Sequence, residues 1–68
     1  MTFTFCFDNG IQIKIEVSLA NTPKIKTIVE TLEEYLVNFK NVDCIEYKDS
    51  TVYDFDRNSL ISFIADSF

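Results

Sequence analysis

Thr2-Phe3-Thr4-Phe5-Cys6-Phe7-Asp8-Asn9-Gly10-Ile11-Gln12-Ile13-Lys14-Ile15-Glu16-Val17 decides the fold. Residues 2–7 alternate strictly, with Phe3, Phe5 and Phe7 on one side and Thr2, Thr4 and Cys6 on the other. Residues 11–17 alternate again, setting Ile11, Ile13, Ile15 and Val17 against Gln12, Lys14 and Glu16. A period of two marks a half-buried strand, because successive side chains leave opposite faces. Asn9-Gly10 lies between the runs and supplies the positive φ angles of a tight hairpin turn.

The period then changes. Asn21-Thr22-Pro23 announces a helix: Thr22 can cap the first amides, and Pro23 suits the first helical position. Ile25, Ile28, Val29, Leu32, Leu36 and Phe39 recur at three- and four-residue steps, one apolar stripe bordered by Tyr35. Glu30, Glu33, Glu34 and Lys40 fall on the opposite side.

Residues 44–48 and 51–55 read as a second hairpin, turning at Lys48-Asp49-Ser50-Thr51. Ile45 and Tyr47 share one face, and so do Tyr53 and Phe55. Asp56 or Asn58 then caps a short helix whose apolar side is Leu60, Ile61, Phe63, Ile64 and Phe68.

The expectation is one α+β domain over residues 1–68, in the order β-β-α-β-β-α. It is a two-layer sandwich in which an antiparallel four-stranded sheet carries both helices on one face. The inward set is Phe3, Phe5, Phe7, Ile11, Ile13, Ile15, Val17, Ile45, Tyr47, Tyr53 and Phe55. The other sheet face carries Thr2, Thr4, Cys6, Gln12, Lys14, Glu16, Cys44, Glu46 and Asp54, a polar set suited to water. The halves share a plan but no repeated sequence.

Composition agrees with a folded chain. A hydrophobic fraction of 47% and an aromatic fraction of 15% are too rich for disorder. Sixty-eight residues support only a small core, so self-association, most simply as a dimer, is expected to add stability. No secretory pattern opens the sequence, and no apolar run nears the ~18 residues of a membrane span. A cytoplasmic protein with Cys6 and Cys44 as reduced thiols is expected, with a Cys6–Cys44 disulfide as the alternative if their strands are neighbours. Phe, Ile, Lys, Asn and Tyr, all with AT-rich codons, number 28 against five for Gly, Ala, Arg and Pro. This points to a low-GC bacterium, or a phage or mobile element living in one.

Most chemistry is set aside. There is no histidine, which removes Ser–His and Cys–His nucleophiles. Gly10 is the one glycine and is needed at the turn, so no phosphate-cradling loop exists. Asp54-Phe55-Asp56-Arg57-Asn58 opens like a calcium loop, but Ser59 replaces the turn glycine and Ala65 the bidentate acid. Lys24 and Lys26 in the first helical turns are most simply solvated. No catalytic residue, metal ligand or cofactor is assigned.

Charge is the remaining signal. Net charge is −5, and residues 43–68 hold six acids against two bases. Direct nucleic-acid and membrane binding are disfavoured by repulsion. Asp43, Glu46, Asp49, Asp54 and Asp56 are the candidate partner-binding residues, expected at one end and one face of the second hairpin. Such a patch suits a basic or nucleic-acid-binding protein. The sequence therefore points to a non-catalytic inhibitor or regulator, of the style by which mobile elements block a host defence or nucleic-acid-processing protein. A self-assembling structural module is one alternative. A small-molecule or nucleotide sponge at a subunit interface is another.

Overall fold

A computed structural model describes residues 1–17 and 24–66. The elements follow in the order β1 (Thr2–Phe7), β2 (Gln12–Glu16), α1 (Ile25–Asn38), β3 (Val42–Tyr47), β4 (Ser50–Val52) and α2 (Arg57–Asp66). The four strands form one antiparallel sheet in the order β2-β1-β3-β4. β1 and β3, the strands with the most aromatic and β-branched residues (five and three), take the centre, where both edges are paired. This is the expected α+β arrangement of elements.

The first hairpin pairs Phe3 with Ile15 and Phe5 with Ile13. Its turn is longer than the Asn-Gly dipeptide implies. Phe7 N–H donates to the Ile11 carbonyl at 2.9 Å and Gly10 N–H to the Phe7 carbonyl at 3.0 Å, so three residues form the loop. Positive φ is needed at Gly10 alone, at 86°. The Asn9 side chain accepts the Ile11 N–H at 3.1 Å and fixes the turn from inside.

Phe3, Phe5 and Ile45 are fully buried and cluster with Ile28, Val29 and Leu32 of α1 and Leu60, Phe63 and Ile64 of α2. Val17 joins them. Aromatic rings seal one end: Phe39 lies 5.9 Å from both Phe5 and Phe7, edge to face, and stacks on Tyr35. Such pairs add about 0.5–1.5 kcal/mol beyond area burial. Tyr47 packs 4.9 Å from Phe3 at the other end.

Two inward assignments and one strand assignment are corrected. Ile11 is 54% exposed. It precedes β2 on the edge strand, one strand beyond Phe7, where Phe39 provides cover. Tyr53 is 70% exposed, and β4 ends one residue before it. Val52 pairs with Ile45 and takes the core-facing position that Tyr53 was expected to hold. A slip of one residue reverses every side chain of a strand. Phe55 is half-buried against the core, but from the connection into α2 and not from a strand.

The expected Thr22 cap and Pro23 start lie outside the described residues. The α1 N-cap is Lys24, with no side-chain capping bond. Within α2, Ile61 is 37% exposed while Leu60, Phe63 and Ile64 are buried; Phe68 lies outside the described residues. Among the described residues no helix is long and apolar enough to cross a membrane.

Candidate functional site

The five acids singled out from sequence occupy four places. Asp43 stands at the start of β3 and Asp49 in the turn after it, so they lie at opposite ends of that strand. At ~3.3 Å per residue the separation is roughly 15–20 Å. Glu46 sits mid-strand opposite Thr51 and is half-buried. Asp54 and Asp56 follow β4 in the connection to α2 and are exposed. The expected single cluster is therefore a dispersed set, because the strand between Asp43 and Asp49 keeps them apart.

Two of these acids have local structural work. Asp56 accepts the Ser59 backbone N–H at 2.9 Å and the Ser59 hydroxyl at 3.2 Å, which caps α2. The cap bond from the Ser59 amide, aided by the hydroxyl, holds the Asp56 carboxyl below its ordinary value. Asp54 accepts the Asp56 N–H at 3.3 Å. The partial calcium-loop pattern is thus spent on a turn and a cap. Among the described residues none of the five acids forms an ion pair; Arg57 pairs with Glu33 instead.

What stands out beside these acids is Tyr53. It is a large aromatic, 70% exposed, between Val52 and Asp54 in the chain. Residue alternation alone assigns it to the interior. A register argument would have found it only if the Ile45–Val52 pairing had been known.

The other sheet face follows the expected alternation for eight of its nine residues. Across it run Glu16–Thr2, then Lys14–Thr4–Glu46–Thr51, then Gln12–Cys6–Cys44. Asp54 lies beyond the end of β4, and Thr51 takes that edge of the face. Thr2 hydroxyl donates to the Glu16 carboxylate.

Cys6 and Cys44 are cross-strand partners and both are free thiols. Their pairing type follows from the backbone. Phe7 N–H points to the β2 side, where it meets Ile11. Amides alternate along a strand, so the even residues of β1 turn toward β3. Asp8 N–H agrees, donating to the Asn41 carbonyl at 3.2 Å. Cys6–Cys44 is therefore a hydrogen-bonded pair, with Cα atoms about 5.5 Å apart. Just beyond it the register shifts, with Val42 and not Asp43 opposite Phe7.

Cys44 is 6% exposed although it belongs to the polar face. Burial, then its hydrogen bond with Cys6, pushes its thiol up to about 11. The Cys6 and Cys44 sulfurs and a Glu46 carboxylate oxygen all lie within 4.8 Å of one another. Sequence reading placed these three on one face but had no signal that the first and third strands are neighbours.

One open groove, of about 610 Å³, runs between β4 and α2 past Thr51, Ser59, Ser62, Phe63 and Asp66. Its hydroxyls have no histidine in the chain to activate them. Comparisons of the chain with protein-family models, curated proteins and solved structures give no match.

Proposed function

We propose that the chain is a non-catalytic, cytoplasmic protein-binding module that inhibits or regulates a basic or nucleic-acid-binding protein. The observation that carries this reading is the exposed Tyr53 ring, with Asp54 and Asp56 just after it and Asp49 in the preceding turn. Exposed tyrosines dominate binding energy where a partner can enclose them. Carboxylates outside any ion pair beside such an anchor, here Asp54 and Asp56, steer a basic partner and reject an acidic one.

The test is affinity capture from a low-GC bacterial lysate using the full chain, Tyr53→Ala, and the double variant Asp49→Lys/Asp54→Lys. Asp56 is left alone because its loss would unfasten α2. A specific partner held by the parent chain, lost by Tyr53→Ala and weakened by charge reversal, is the expected result. Equal capture by all three removes this surface from the mechanism.

A second reading rests on the sheet edges. β2 and β4 are the outer strands, and β2 carries neither proline nor a register shift to discourage pairing. Edge pairing through β2 would give a two-fold dimer. Sedimentation at high concentration distinguishes it: a strict monomer ends this reading.

A further inference from the structure

We propose that Cys6, Cys44 and Glu46 form a binding site for a thiophilic divalent cation of the zinc class. The inference is independent of the Tyr53 surface, and those residues lie on the sheet face that holds no core residue but Cys44.

The argument is one of spacing. Cys6 and Cys44 oppose each other on β1 and β3, and Glu46 follows Cys44 by two residues, which returns it to the same face. Their three donor atoms lie within 4.8 Å of one another. A hydrogen-bonded strand pair holds its Cβ atoms at the wide end of the cross-strand range, about 5.5 Å. A disulfide wants ~3.5–4.5 Å between those atoms and ~2 Å between sulfurs. A tetrahedral zinc ion with Zn–S bonds of ~2.3 Å wants its sulfurs roughly 3.8 Å apart. The three donor atoms thus lie close enough for one ion to bridge them.

Donor chemistry narrows the ion. Two sulfurs exclude calcium and magnesium, which take oxygen ligands, and favour zinc-like cations. Glu46 supplies a carboxylate oxygen at ~2.0–2.2 Å and forms no ion pair among the described residues. Binding forms two metal–sulfur bonds and one metal–oxygen bond. The two thiol protons pass to buffer, the carboxylate donates a lone pair, and nothing is oxidised or reduced. Three protein ligands leave a fourth position for water or an added ligand.

The experiment uses the full, reduced, chelator-treated chain titrated with cobalt(II). One equivalent should produce thiolate-to-cobalt charge-transfer absorption with tetrahedral visible bands. Zinc should bleach both, and millimolar magnesium should not. Zinc at a hundred times its Kd should raise the thermal midpoint by about 10 °C or more. Cys44 is buried and its replacement risks unfolding, so Cys6→Ser and Glu46→Gln carry the test, with circular dichroism confirming the fold. Cys6→Ser should lose the charge-transfer band, and Glu46→Gln should weaken cobalt binding at least tenfold. No thiolate band in the parent chain overturns the proposal. So does an unchanged band and affinity in either variant.

Discussion

Cys6 and Cys44 face each other across a hydrogen-bonded register of the two central strands, and neither is oxidised. A hydrogen-bonded pair is the wider of the two cross-strand types, which opposes a bridge unless β1 and β3 close. Air exposure of the folded, metal-free chain should leave two titratable thiols and an unchanged mass. Native alkylation should reach Cys6 before Cys44, since Cys44 is 6% exposed. Loss of two hydrogens on simple air oxidation, seen by mass spectrometry, would show that the strands close more easily than this register implies.

Asp56 gives a pH dependence of definite sign. Its carboxyl is held below the ordinary value of 3.8, chiefly by the Ser59 backbone amide. A group whose folded-state value is depressed contributes stability above its unfolded value and loses it as pH falls through the folded one. The cap therefore acts fully at neutral pH and weakens below about pH 3.8. Asp56→Ala should lower the thermal midpoint by about 5 °C at pH 7. Asp56→Asn caps without titrating, so its midpoint should fall less steeply than the parent's between pH 4 and pH 2. Parallel acid limbs for the two chains would remove Asp56 from the acid response.

Much of this fold is written in periodicity. Phe3, Phe5 and Phe7 declare a strand because nothing but a two-residue period puts all three rings on one side. Ile28, Val29 and Leu32 declare a helix for the matching reason. An element as short as β4 has no period to show. Ser50-Thr51-Val52 offers one apolar side chain, and the larger Tyr53 and Phe55 beyond it drew the assignment out of phase. Tertiary pairing with Ile45 decides the phase, and local sequence does not contain it. The same gap hid the Cys6–Cys44–Glu46 grouping. Its members are 38 and two residues apart in sequence, and only the adjacency of β1 and β3 brings them together. The acids were legible as a charge excess but not as a surface, since strand length separates Asp43 from Asp49.

Gly10 tests the first turn. Its φ is 86°, and a Cβ added there would meet nothing within 4 Å. The cost of Gly10→Ala is therefore conformational and not steric, about 1 kcal/mol from forcing a side chain into left-handed backbone. Gly10→Asn should cost less, because asparagine tolerates that region. Asn9→Ala removes the side-chain acceptor of the Ile11 amide and should add a separate, smaller loss. Urea unfolding of the three variants measures the order. If Gly10→Ala were neutral, the three-residue loop would have to adopt another turn.

The phase of β4 can be read out by two adjacent substitutions. Val52 is half-buried and pairs with Ile45, while Tyr53 is 70% exposed. Val52→Ala should destabilise by about 1 kcal/mol, enough to shift the thermal midpoint by 4–8 °C in a domain of this size. Tyr53→Ala should stay within about 0.5 kcal/mol of the parent, as exposed positions do. The reverse order would mean the strand sits one residue out of phase, with the Tyr53 ring in the core. In that case Tyr53 could not anchor a partner, and any loss of binding in Tyr53→Ala would reflect unfolding. A small stability change combined with lost partner capture is the one combination that assigns Tyr53 to recognition alone.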